Sequence, residues 1–305
     1  MGDLVQKGAG AHAPAPDRAR CRVALGIAYD GAGYHGFAVQ PNVRTVGGEL
    51  KHALAQIAGH DVDLVCAGRT DAGVHALAQV VHVDLEAELL ARRYGASGTP
   101  FEDLPALARA IDRQLGREAA CWRARGVPAG FDARHSATAR RYRYELDLDP
   151  IPDPRDARRA WRLEGPLDLA AMRLAADPLL GEHDFAAFCR RPPDRPDGPL
   201  LRKVTDAHWR VDGWRWSFDI EAKAFCHQMV RSIVGALVAV GEGRLRPSDV
   251  VALLRSGSRR GAPTLAPPAG LCLITVRYPD DLGGTWGATP PPEPWERAVP
   301  AAGAR

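Results

Sequence analysis

The chain has 305 residues, 46% apolar and 25% charged, an ordinary globular balance that excludes a wholly disordered chain, a collagen-like repeat and a coiled coil. That length suits one large domain or two smaller ones. Net charge is only +3, so bulk charge alone does not announce a nucleic-acid partner.

The leader, residues 1–20, is small and polar, is broken by proline and lacks the apolar centre of a secretory signal. It reads as disordered. Residues 22–30 (RVALGIAYD) predict a strand, and Gly31, Gly33 and Gly36 a loop. Val46, Leu50, Ala53, Leu54 and Ile57 recur at three and four, which predicts an amphipathic helix over 45–58. A strand is expected at 62–67, then a glycine-bracketed loop, then a strand at 79–85. Leu104, Leu107, Ile111 and Leu115 mark a further helix, and 120–127 and 138–148 read as strands.

Beyond a weaker segment at 149–165, residues 167–180 look helical, and 190–199 (RRPPDRPDGP) can only be loop. Strands at 203–211 and 214–222 flank the turn Asp212-Gly213. The run 227–241 is a helix apolar nearly all round. A short helix near 247–255 and a strand at 271–278 complete the fold. Residues 281–305 hold prolines at 290, 291, 292, 294 and 300 and read as a disordered tail. No apolar run approaches the roughly 18 residues of a membrane span.

These elements predict an α+β fold of two similarly organised halves. Each half is expected to have mainly antiparallel sheet flanked by helices. The first half spans 21–118 and the second 119–280.

The cations divide into four lysines and 36 arginines. A genome rich in G and C explains the total but not the clustering. Arg134, Arg140, Arg141 and Arg143 crowd one segment, interleaved with Tyr142 and Tyr144. In a strand, Arg140, Tyr142 and Tyr144 share one face. Aromatic and guanidinium groups together suit base stacking and phosphate pairing. A strand with core tyrosines and solvated arginines fits the same pattern equally well.

The loop Gly68-Arg69-Thr70-Asp71-Ala72-Gly73 is the most informative stretch. Its glycines permit close backbone approach. It joins two apolar strands, so Asp71 lies beside a core rather than on a solvated tip. Arg69, two residues away, could hold the carboxylate ionised. Arg231 opens an otherwise apolar helix, where the dipole disfavours a cation, so it either pairs with a carboxylate or snorkels to solvent, and the two readings stand about equal.

The six cysteines, at 21, 66, 121, 189, 226 and 272, include no C-x-x-C pair. Reduced thiols are expected, with no disulfide framework or zinc site. The histidines show no metal spacing, and neither glycine loop has a phosphate or dinucleotide fingerprint. No metal, nucleotide or redox cofactor is expected.

GRTDAGVHA (68–76) resembles the signature loop of the bacterial TruA-type tRNA pseudouridine synthase family. Further matches follow in family order between 22 and 278. They are Tyr29-Asp30-Gly31 with Tyr34, Gly36 and Gln40; Phe131, Ala133-Arg134, Ser136-Ala137, Arg140, Tyr142 and Tyr144; Ala224-Phe225, His227 to Arg231, and Val234-Gly235; and Ala266-Pro267, Gly270-Leu271 and Val276 to Tyr278. Departures from the pattern include Phe37-Ala38-Val39, Asp132, Cys226 and the 190–199 loop.

The resemblance implies an isomerase that turns uridine into pseudouridine at positions 38, 39 and 40 of the tRNA anticodon stem-loop. By the same resemblance Asp71 is the nucleophile, and Arg231 is its ionic partner. Arg69 and Arg231 keep it ionised and bind phosphate, and Tyr142 stacks on the target uracil and assists loss of the C5 proton. A cytoplasmic homodimer is implied, each subunit holding an active-site cleft between its two halves, with no cofactor. A degenerate RNA-binding module and an Asp-nucleophile glycoside hydrolase are the alternatives. The module would have no reason to keep Asp71, and the hydrolase needs a second carboxylate.

Overall fold

The computed structural model describes residues 19–191, 198–259 and 264–287. The leader to residue 18, most of the 190–199 loop and the tail from 288 lie outside the described residues. The first apolar run forms β1 (Arg20–Tyr29), with Val23, Leu25 and Ile27 fully buried. Helix α1 (Val46–Ala58) buries the stripe its periodicity predicted. Thr45 caps it by accepting the Gly48 N–H, and Gly59, at φ 79°, makes the left-handed turn that ends it.

Strands β2 (Leu64–Cys66) and β3 (His75–Glu86) form an antiparallel hairpin around the Asp71 loop. Next come α2 (Ala87–Tyr94), α3 (Pro105–Asp112), β4 (Ala119–Gly126), β5 (Ala139–Asp147) and β6 (Trp161–Arg162). The remainder is α4 (Leu169–Ala176), β7 (Gly181–Asp184), β8 (Leu201–Asp212), β9 (Arg215–Ala222), α5 (Met229–Gly241), α6 (Pro247–Ser256), β10 (Leu271–Arg277) and β11 (Thr285–Trp286).

The fold is α+β, and the 11 strands among the described residues form one sheet in the order β4-β1-β3-β10-β5-β9-β8-β7, with β2 on β3, β6 on β5 and β11 on β10. Among the described residues, the only parallel pairs are β3 with β10 and β5 with β6. The two halves therefore do not hold separate sheets. They meet where His75 and Ala76 pair with Cys272 and Leu273. That pairing starts β3 four residues before the expected Gln79, a consequence of tertiary contact that local pattern does not carry. Strand β4 pairs with β1, so residues 119–126 stand with the first half rather than the second.

Every residue of α5 except Arg231 is buried. The expected tail also needs correction. Residues 281–287 belong to the fold, because β11 adds to β10 and its Trp286 is fully buried against Trp122. A single anchored indole needs no periodicity. Trp286→Ala should lower the unfolding free energy by about 3–5 kcal/mol, the usual cost of truncating a core aromatic. The indole N–H has no acceptor among the described residues, which favours the lower part of that range. A urea unfolding curve matching the parent's would return this segment to the tail.

Candidate active site

The Asp71 loop is moulded by the glycine loop after β1. The Phe37 N–H donates to Thr70 O at 3.1 Å, and the Gly73 N–H to Tyr34 O at 3.3 Å. The approach is closest at two glycines. A Cβ on Gly31 would lie 2.0 Å from Val74 O, and one on Gly36, at φ 91°, 2.8 Å from Thr70 O. Only glycine fits there.

From below, a buried polar network fixes the same loop. Tyr29 Oη and Thr70 Oγ1 share a hydrogen bond at 2.8 Å. The Gln79 amide donates to Gly68 O at 2.6 Å and accepts from the Gly68 N–H at 3.4 Å. Burying this network without its partners would cost about 1–3 kcal/mol per group. The loop backbone is therefore over-determined, while the Asp71 side chain stays partly open.

Asp71 meets two bases. Arg231 Nη1 lies 3.3 Å from Oδ2 and His227 Nε2 lies 3.3 Å from Oδ1. Arg231 is only 12% exposed, and its Nε donates to Ala266 O at 2.8 Å. The guanidinium is thus held from both sides. The long-range pairing expected of a cation at the start of an apolar helix is the one present, across 160 residues. Arg69 behaves differently. Its side chain is exposed and has no ion-pair partner among the described residues. Asp71 O accepts the Val74 N–H at 3.2 Å, so the loop turns here, and two residues of separation do not place Arg69 against Asp71.

Tyr142, on β5, is 8% exposed and packs edge-on against Phe225, with ring centroids 5.1 Å apart. Its hydroxyl lies 3.6 Å from the position a Cβ on Gly68 would take, beneath the Asp71 loop. Burial pushes the phenol well above its ordinary value, so it stays neutral at any working pH.

Another member of that face, Arg140, does not serve phosphate. It is buried and donates to the carbonyls of Ala67, Arg134, Ala137 and Lys223. No carboxylate pairs with it among the described residues. Burial pulls its guanidinium below the usual arginine value. Arg140 staples the entry to the Asp71 loop onto the segment that leads to Phe225.

The family model described as tRNA pseudouridine synthase matches residues 175–279. A tRNA pseudouridine synthase A of Frankia casuarinae is 44% identical over 268 residues, covering 85% of this chain and 90% of its own. That of Leifsonia xyli is 43% identical over 269 residues, covering 85% and 92%. That of Mycobacterium leprae is 42% identical over 266 residues, covering 85% and 90%. The chain belongs to the tRNA pseudouridine synthase family. It is an isomerase acting on uridine in tRNA.

Two features of this synthase were not foreseen. Cys189 and Cys226 are joined as a disulfide, with Cα atoms 5.8 Å apart. This corrects the expectation of reduced thiols throughout. A separation of 37 residues gives no signal for the pairing. The second is His227, which shares the Asp71 carboxylate. Its position in the helix-opening motif was visible, but nothing local indicated its partner.

Around the site stand cations with no ion-pair partner among the described residues: Arg69, Arg134, Arg190 and Lys223, all exposed. Their backbones are tied to it. Arg140 binds the carbonyls of Arg134 and Lys223, and the Arg190 N–H donates to His227 O at 2.9 Å.

Proposed function

We propose that this enzyme isomerises uridine at positions 38, 39 and 40 of the tRNA anticodon stem-loop, with Asp71 as the nucleophile. The observation that carries the reading is the Asp71 carboxylate itself, held between Arg231 and His227 beside the buried ring of Tyr142. The reaction breaks the N1–C1′ bond, turns the uracil and rejoins it through C5. It involves no net redox change or hydrolysis. A carboxylate paired with Arg231 can attack and leave again. Tyr142 is the face on which the extruded uracil stacks, and its neutral phenol is suited to apolar contact. Arg69 is assigned to backbone phosphate, since no carboxylate competes for it. The working form is a cytoplasmic homodimer.

Tritium release from C5-labelled uridine in tRNA tests the reaction, and mapping pseudouridine in treated transcripts tests the positions. Release with product at 38 to 40 is expected. Binding without release would mean an RNA-binding module, and free uracil a hydrolase.

Affinity should fall steeply with salt. If Arg69, Arg134, Arg190 and Lys223 each neutralise one phosphate, log Kd should change with log salt by about 0.7–0.9 per contact. A dissociation constant that is flat between low and moderate salt contradicts this collar of cations.

A further inference from the structure

The two oxygens of Asp71 have unlike neighbours. Arg231, on Oδ2, offers only donors and cannot take a proton at any working pH. His227, on Oδ1, can both give and take one. Its ring is 46% exposed, so one end reaches the carboxylate and the other reaches water.

The backbone around His227 is unusually constrained for such an exposed side chain. Cys226 before it is bonded to Cys189. Gln228 after it sits at φ 65°, a left-handed conformation unusual for a residue with a side chain. The Arg190 N–H holds its carbonyl at 2.9 Å. Local strain of this kind persists where the surroundings over-determine it, and it clusters at functional sites. Here it aims an imidazole at Asp71.

The proton balance of the reaction gives that imidazole a task. Pseudouridine has lost the hydrogen on C5 and gained one on N1. After C5 has bonded to C1′, it still carries its hydrogen. When the C5–H bond breaks, its electron pair restores the C5=C6 double bond. The C6=N1 pair returns to N1, which takes a proton from water. The C5 proton needs an acceptor, and the freed Asp71 carboxylate is in place. Asp71 must then lose that proton before it can attack again.

We infer that His227 is the outlet for this proton, taking it from Asp71 Oδ1 at Nε2 and releasing a proton from the ring to bulk water. In the tautomer with hydrogen on Nδ1, Nε2 accepts, an imidazolium–carboxylate pair forms, Nδ1 then gives its proton to solvent, and exchange with water between turnovers moves the remaining ring proton from Nε2 back to Nδ1. His227 is a positioning residue that acts through Asp71. This inference rests on the reading of Asp71 as nucleophile.

The experiment uses the full chain and intact tRNA, with His227→Gln, His227→Ala and Asp71→Asn. Pseudouridine formation is followed twice, once with enzyme in excess and once in the steady state. Both His227 variants should bind tRNA as the parent does and complete the first turnover. Their steady-state turnover should fall about 10²-fold, the low end for loss of a proton-transferring group. Free imidazole should restore His227→Ala but not His227→Gln, whose amide fills the space. Parental turnover in both variants overturns the proposal. So does an equal slowing of both phases, which marks a structural role. A loss that follows affinity marks a phosphate contact, and imidazole without effect on the alanine variant also counts against the outlet. Asp71→Asn separates the two readings. If it stays active, the nucleophile assignment fails. If it is inert while the His227 variants are unimpaired, only the outlet fails.

Discussion

Asp71→Asn should fold, bind tRNA and form no pseudouridine. The substitution is nearly isosteric, and its effect on the fold can be read from the partners. The amide oxygen can face Arg231, and the amide nitrogen can face His227, whose ring can accept at Nε2 when neutral. The loop is held by main-chain bonds to Phe37 and Tyr34 and by Thr70 and Gln79, none of which involves the Asp71 side chain. The cost to stability should therefore be about 1 kcal/mol. The cost to chemistry should be complete, because an amide cannot form and release the covalent adduct. Affinity for tRNA should hold or rise, since Arg231 and His227 lose the anion that occupies them. The control is Asp30→Asn. Asp30 Oδ1 caps the turn at Ala32, 3.0 Å away, and neither of its oxygens contacts Asp71, Arg231 or His227. It should lose little activity. Multiple turnovers by Asp71→Asn, purified free of host enzyme, would remove the nucleophile and most of the mechanism with it.

What the sequence made legible was governed by local rules. Alternation along the segment put Arg140, Tyr142 and Tyr144 on one face, and in β5 that face is the buried one. The apolar stripe of α1 was readable for the same reason. Arg231 was readable because a cation at the start of a buried helix is costly unless it is paired, and the structure supplies a pair with Asp71.

What escaped depends on where the chain goes between distant residues. Arg69 is two positions from Asp71, yet the turn closed by Val74 sends it to solvent. Arg140 was on the correct face, but alternation cannot say that four carbonyls rather than phosphates would meet it. The His227 contact, the Cys189–Cys226 bond and the parallel pairing of β3 with β10 each join segments far apart in sequence. Trp286 escaped because a two-residue strand with one anchor has no period to detect.

The second large effect is expected at Tyr142, where two substitutions divide packing from chemistry. Tyr142→Phe should leave stability and tRNA binding close to the parent's. The hydroxyl makes no hydrogen bond to another described residue, so its loss strands no partner, and the ring keeps its edge contact with Phe225. Turnover should slow, because the phenol assists departure of the C5 hydrogen to Asp71. Tyr142→Ala should hurt binding, turnover and stability together. It removes a stacking face worth about 1–3 kcal/mol per base. It also empties a buried site between Phe225 and the Asp71 loop, with a stability cost of about 3–5 kcal/mol. Measuring Kd at a temperature where both variants are folded separates these losses. If Phe and Ala then behave alike in affinity, Tyr142 does not stack on the base, and the uracil must be held by another surface of the cleft. If Phe matches the parent in turnover as well, the hydroxyl has no part in the chemistry, and the burden of moving the C5 proton falls on Asp71 with His227 beside it.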